Sequence, residues 1–286
     1  MNRQLRNLGL MVVVLIVLGI AAVVLQPVRS VGKGSIAMLD IGQGDSFLIT
    51  APSGAQLLID GGKDATVLSE LHKAMPAGDH SIDVVIATHP DADHIGGLPL
   101  VVDRYKVGLF LTSTVRGSTD TYKSLMQKLV DHHIPAYFAH SGETVVLDSM
   151  TTLQILFPDR EVTDWETNTA SVVGRLQIGK RSALFTGDSP ISIEQYLVRK
   201  DPRILNVDIL KLGHHGSKTS SSQEYLRATS PTLALISAGV HNSYGHPHQE
   251  VLELLKKLKI PYVSTQDHGQ VTLTTDGQAW NEQDEK

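Results

Sequence analysis

Four times along the chain a short apolar run ends in a carboxylate or an imidazole beside glycine. The instances are Leu57-Leu-Ile-Asp60-Gly-Gly, Val85-Ile-Ala-Thr-His89, Ala183-Leu-Phe-Thr-Gly-Asp188 and Ile209-Leu-Lys-Leu-Gly-His214-His215-Gly-Ser217. Continuous runs of Val, Ile and Leu of this length read as strands buried on both faces. Polar groups that are costly to bury unpaired therefore sit where rigid core strands end. The second instance continues as His89-Pro-Asp91-Ala-Asp93-His94-Ile-Gly-Gly97, placing two imidazoles and two carboxylates within six residues. A metal ion is the natural reason to gather them, against the plainer reading of a solvated turn with helix-capping aspartates.

From Ser35 onward no Pro/Ser/Gly linker or low-complexity run interrupts the chain, so a single domain over residues 31–286 is expected. Strands are expected at Ser35–Asp40, Ser46–Thr50, Gln56–Asp60 and Val84–Thr88, with a mixed segment before the last. Helices follow near Leu98–Tyr105 and Thr119–His132, with a strand near Leu109–Thr112 between them. The second half repeats this grammar. It has strands at Thr144–Leu147, Leu153–Phe157, Ser171–Ile178, Arg181–Phe185, Ile209–Leu212 and Leu233–Ser237, and helices at Ile191–Lys200, Ser221–Arg227 and Gln249–Leu258. Two similar halves of strands and helices predict an α+β fold, a four-layer αββα sandwich of two packed sheets with helices outside.

Residues 1–30 stand apart. Leu8 to Leu25 is 18 residues without a charge, preceded by Arg3 and Arg6. At ~1.5 Å per residue such a helix just spans a bilayer core. An N-terminal transmembrane helix acting as an uncleaved signal anchor is expected, because Val24-Leu-Gln-Pro-Val-Arg29 offers no small-x-small cleavage site; a cleaved signal peptide is the alternative. The basic tail favours an inside N-terminus, which places the domain outside the cytoplasm, although Arg29 and Lys33 flank the other side.

Cysteine is absent, which excludes disulfides, thiolate ligands and a cysteine nucleophile. The net charge of −5 excludes the global basic field of a non-specific nucleic-acid binder. Imidazole and carboxylate ligands suit Zn²⁺, Mn²⁺ or Fe, and two such ions activate water for in-line displacement at phosphorus. Plainer roles compete: Asp188 as a helix N-cap, Asp60 as the anchor of a Gly-Gly turn, Asn168 as a loop amide. Gln43 and Asp45, between Gly42, Gly44 and the next strand, read as a structural turn.

The stretch Thr88-His-Pro-Asp-Ala-Asp-His-Ile-Gly-Gly97 resembles the metal motif of the metallo-β-lactamase fold, in the variant carried by the hydrolase domain of ComEC/Rec2 competence proteins. The likeness extends through Leu39-Asp-Ile-Gly-Gln-Gly-Asp45, Leu58-Ile-Asp-Gly-Gly62, Asn168-Thr-Ala-Ser171, Phe185-Thr-Gly-Asp188, Lys211-Leu-Gly-His-His-Gly-Ser217 and Tyr244-Gly-His-Pro-His248. It implies two divalent metal ions, Zn or Mn, with His89 and Asp91 on one, Asp93 and His94 on the other, and Asp188 bridging. His215 completes the second site, His214 faces the substrate, and Asp60 orients a ligand by hydrogen bonding. The wider superfamily has histidines where this chain has Asp91 and Asn168, a departure shared with the competence branch that argues against a β-lactamase.

The resemblance implies a phosphodiesterase, most naturally a DNA-cleaving nuclease using a hydroxide between the metals, with Asp93, Asp188 and His214 catalytic. Lys211, Ser217, Asn242, His246 and His248 are the expected substrate contacts, and DNA or another phosphodiester the expected partner. Two alternatives stand beside it, hydrolysis of a nucleotide or phosphocholine-type envelope ester, and a non-catalytic binding module. Competence proteins also carry a multi-helix membrane channel; with one hydrophobic segment, this chain is expected to be the hydrolase module on an anchor.

Overall fold

The structure is a computed structural model and describes residues 32–283. The apolar segment expected to anchor the chain lies outside the described residues. Among those described, no helix is long and apolar enough to cross a membrane.

Strands β1 (Gly34–Met38), β2 (Phe47–Thr50), β3 (Gln56–Ile59), β4 (Ser81–Ala87), β5 (Lys106–Thr112) and β6 (Ala136–Phe138) belong to one sheet. A second contains β7 (Thr144–Val146), β8 (Thr151–Phe157), β9 (Val173–Ile178), β10 (Arg181–Phe185), β11 (Ile209–Lys211), β12 (Leu233–Ile236) and β13 (Tyr262–Ser264). The chain returns to the first sheet as β14 (Val271–Thr275) and β15 (Trp280–Gln283), giving the orders β15-β14-β1-β2-β3-β4-β5-β6 and β13-β12-β11-β10-β9-β8-β7. Each half begins antiparallel and turns parallel. In the first, β1 to β3 are antiparallel and β3 to β6 parallel. In the second, the change comes at β10.

Both faces of the central strands are buried, and alternate residues go to different cores. On β1, Ile36 and Met38 enter the space between the sheets, whereas Ala37 enters the layer under the helices. On β4 the same division separates Val84 and Ile86 from Val85 and Ala87. Phe47 and Phe185 join the two sheets edge to face at 5.2 Å. Helices Thr66–Ala74, Leu98–Arg104 and Asp120–Asp131 cover the first sheet through Val67, Leu71, Val101, Leu125 and Leu129. Helices Ile191–Lys200, Gln223–Thr229 and Gln249–Leu258 cover the second through Ile193, Leu197, Leu226, Val251 and Leu255. The result is the four-layer αββα sandwich.

The segment read only as mixed holds the helix Thr66–Ala74. The helix expected from Ser221 starts two residues later, because the Ser222 hydroxyl caps it by accepting from the Tyr225 N–H at 3.3 Å. In both sheets the parallel strands end in loops of polar residues and glycine: Asp60 follows β3, the His89–His94 run follows β4, Asp188 follows β10 and His214-His215 follows β11. Ligand sites of open α/β sheets form at such carboxyl ends.

Candidate metal centre

The four loops bring their side chains into one cluster. Asp93, His94, Asp188 and His215 each offer a ligand atom, and these atoms all lie within 4.8 Å of one another. Asp188 is central, its Oδ2 standing 3.3 Å from His94 Nε2, 3.5 Å from His215 Nε2 and 3.6 Å from His214 Nε2. Asp93 Oδ2 lies 3.4 Å from His215 Nε2. His89 adjoins this group, its ring centroid 4.1 Å from that of His94, and Asp91 Oδ2 lies 3.7 Å from His89 Nε2. All four groups of the motif loop thus face one region.

Hydrogen bonds on the far side of each ring fix which nitrogen looks inward. His94 Nδ1 lies 2.8 Å from Asp60 Oδ2. The Thr88 hydroxyl donates to the same Asp60 oxygen at 2.7 Å, so its own oxygen is left to accept from His89 Nδ1 at 3.0 Å. Asp60 Oδ1 accepts from the Thr88 N–H at 2.8 Å. One buried carboxylate therefore orients two histidines, one directly and one through a threonine. His215 Nδ1 faces the Ser237 carbonyl at 3.0 Å, which can only accept. In each case Nδ1 carries the proton and Nε2 points into the cluster.

The cluster rests on a charge pair that sequence reading missed. Asp45 is buried, with Oδ1 3.3 Å from His215 Nδ1 and Oδ2 paired with Lys211 Nζ. Burial alone would raise the Asp45 carboxyl, but Lys211 and His215 hold it below its usual range; burial likewise opposes the charge on Lys211, and Asp45 and Asp188 keep it up. Both partners are charged. Gly44 permits this, since a Cβ there would fall 2.1 Å from the Asp93 carbonyl oxygen, to which Asp45 N–H donates at 3.2 Å. Asp45 is therefore more than a turn residue. The signal was present in Lys211, a lone cation between Leu210 and Leu212 that needed an acid.

Three of these loop residues are not glycine and yet have positive φ: Asp60 at 58°, His214 at 50° and His215 at 54°. Each such placement costs about 1 kcal/mol and persists only where the surroundings enforce it.

Other expected contacts are placed differently. Lys211 is 1% exposed and donates to the Gly187 carbonyl at 2.8 Å, so it lies beneath the cluster and cannot meet a substrate phosphate. Ser217 is also buried, its Oγ accepting from Thr219 N–H at 3.3 Å. Asn242 spends its side chain on its own loop, donating to the carbonyls of Gly239 at 2.8 Å and His246 at 2.6 Å and accepting from His246 N–H at 2.8 Å. His246 is buried 5.2 Å, centroid to centroid, from His214, and His248 accepts the Lys218 N–H at 3.1 Å. His214 has a side chain 27% exposed and stands at the edge of the cluster. Asn168 Oδ1 is buried without a hydrogen bond among the described residues, in the loop whose Ser171 lies 3.4 Å from His89 Nδ1. Asp188 does not cap the helix at Ile191, where Pro190 holds the N-cap position.

This donor set fits a cation. The inward Nε2 atoms of His89, His94 and His215 are buried without hydrogen-bond partners among the described residues, as is Asp188 Oδ1. Native interiors rarely leave such atoms unsatisfied. Burial and the adjoining His94 push His89 down to about 3, which keeps it neutral as a ligand must be. Burial would also lower His215, but Asp188 and Asp45 outweigh it and carry it up to about 9, and Asp188 with Asp60 raises His94. The carboxylates thus make the cluster a place that demands positive charge.

A four-layer αββα sandwich with a buried His/Asp cluster at its strand ends is the frame of a metal-binding fold, and the site is consistent with a metal-dependent hydrolase. The chain belongs to the metallo-beta-lactamase superfamily, whose family model matches residues 39–241. It is 30% identical over 256 residues to the ComE operon protein 3 of Bacillus subtilis, covering 84% of this chain and 33% of that protein. It is 30% identical over 237 residues to the Recombination protein 2 of Haemophilus influenzae, covering 82% of this chain and 28% of that protein. The chain therefore spans about a third of the length of these relatives. Among solved structures, CmlA, a diiron beta-hydroxylase from Streptomyces venezuelae, shares the fold with a TM-score of 0.56 at 16% identity, over 85% of this chain and 54% of that one.

Proposed function

We propose that the chain is a metal-dependent phosphodiesterase that cleaves DNA. The observation that carries this reading is the set of buried imidazoles whose Nδ1 atoms are anchored and whose Nε2 atoms make no hydrogen bond among the described residues, those of His94 and His215 lying beside Asp188. His89 and Asp91 would hold one divalent ion and Asp93, His94 and His215 a second, with Asp188 between them, Zn or Mn in either place. Bound there, the ions supply Lewis acidity toward a phosphoryl oxygen and make water a nucleophile at neutral pH.

The residues of the chain do the rest. Asp93, partly exposed, and Asp188 accept hydrogen bonds from the attacking water and orient it. His214, its Nδ1 held by Thr219 Oγ1 at 3.2 Å, presents Nε2 at the edge of the cluster, where a proton can pass to the leaving oxygen. Asp60, Thr88 and Ser237 keep the ligand rings in register, and Lys211 offsets part of the buried negative charge.

DNA is favoured because the chain aligns with a protein named for recombination. A smaller phosphodiester, such as a nucleotide or an envelope ester, is the second reading, supported by the net charge of −5. The hydropathy of Leu8–Leu25 supports a membrane-anchored domain outside the cytoplasm. The test is cleavage of single- and double-stranded DNA and of a small phosphodiester, with Mn²⁺ or Zn²⁺, by the 286-residue chain and its Asp93→Ala variant. DNA cleavage that drops roughly 100-fold in the variant is expected. Cleavage of the small diester alone moves the assignment to the second reading, and cleavage unchanged by the substitution overturns both.

A further inference from the structure

A recess of about 330 Å³ opens beside the cluster, lined by Gln43, Lys63, Asp93, His241, Asn242 and Tyr244. Asp93 is its link to the metal centre. Three features of its wall have no role in holding the ligands. Tyr244 is 65% exposed in a protein whose aromatic content is only 5%. Its ring stacks on His246 at 5.7 Å and 21°, and His246 in turn meets His214 at 5.2 Å, so a row of rings leads from the rim to the edge of the cluster. Lys63 is exposed on the wall of the recess, with the carboxylate of Asp64 as its near electrostatic neighbour. Gln43 accepts the Gly239 N–H on its Oε1 at 3.2 Å, which leaves Nε2 a buried donor with no hydrogen bond among the described residues.

An open aromatic face, an exposed cation and an amide donor without a hydrogen bond among the described residues, beside the proposed phosphodiester-cleaving site, match the parts of one nucleotide: base, phosphate and a polar edge. We propose that this recess holds the nucleotide next to the scissile phosphate of a single strand, with its base on Tyr244, its outer phosphate on Lys63 and a hydrogen bond from Gln43 Nε2. The inference rests on the DNA reading above and adds to it a strand preference. A paired base has both faces covered in the stack and cannot lie on Tyr244 without leaving the duplex. Single strands are therefore the substrate the recess selects. The low aromatic content does not oppose this, because one ring at the rim suffices for one base.

The experiment compares cleavage kinetics of the metal-loaded chain on an oligothymidylate and on an abasic oligonucleotide of the same length. Tyr244→Ala is expected to raise KM for the oligothymidylate roughly 10-fold with kcat within about twofold, and to leave KM for the abasic strand unchanged. Tyr244→Phe keeps the ring and is expected to behave as the parent does. Lys63→Ala is expected to raise KM for both strands alike and to lessen their salt dependence, as the loss of a phosphate contact does. A Tyr244→Ala chain that treats the two strands equally overturns the inference while leaving the DNA reading intact. A parent chain that cleaves neither strand removes the DNA reading itself, and the inference with it.

Discussion

Asp60 touches no solvent, yet it sets the direction of two candidate ligand rings, His94 directly and His89 through Thr88. Burial pushes its carboxyl up, against the pull of His94. Asn in its place keeps the volume but removes the charge that two donors share. Asp60→Asn is expected to weaken Zn²⁺ binding roughly 10- to 100-fold, measured by competition against a chelator. Unchanged affinity would mean that the rings hold their orientation without it. At this scale the sequence was most readable where ligands are neighbours, as in His89 to His94, because six residues contain the chemistry. It was least readable where a side chain's role depends on a remote partner. Asp45 and Lys211 lie far apart in the chain and meet only when β11 and the loop before β2 are brought together. Composition near each residue gave opposite hints, a turn for one and a substrate contact for the other.

The helix Ile191–Lys200 was legible with its boundaries because Ile193 and Leu197 repeat at the helical period and Pro190 marks its start. The helix Thr66–Ala74 was not, since Ala65 provides no side-chain cap and its apolar face is small, made of Val67, Leu68, Leu71 and Ala74. Strand β6 was also missed. Its three residues are all exposed, so no alternation betrays it. The first of these helices carries a cluster away from the metal centre: Asp159 accepts from Tyr196 Oη, from Lys200 Nζ at 2.9 Å and from Arg160 Nε at 2.9 Å. Burial alone would raise the Asp159 carboxyl, but these donors hold it well below the usual carboxylate range. A depressed carboxylate stabilises the fold above its unfolded pKa of about 4, and that contribution is lost as the pH falls further. Asp159→Asn is therefore expected to cost about 1–2 kcal/mol at pH 7, discounted for partial exposure, and less at pH 3, in urea unfolding curves. An equal loss at both values would show that the carboxylate charge is not what ties the helix down.

For the molecule as a whole, the two halves were visible in the sequence as a repeated grammar, and the four layers followed from it. Each half ends its antiparallel run by turning parallel, and the parallel strands deliver their polar loops to one rim. What the sequence left open was how the loops interlock, because that depends on left-handed backbone at Asp60, His214 and His215 and on glycines pressed against neighbouring carbonyls. With a net charge of −5, the protein attracts no polyanion through its overall field. Under the proposed function, affinity for a phosphodiester would arise locally, at the candidate metal centre and beside it. The most direct measurement is metal stoichiometry by elemental analysis after dialysis of the 286-residue chain against Zn²⁺ or Mn²⁺, beside the Asp188→Ala variant. The account predicts about two ions per chain and fewer than about one in the variant, as removal of a shared ligand requires. A chain that retains no stoichiometric metal, or a variant that retains as much as its parent, would contradict it.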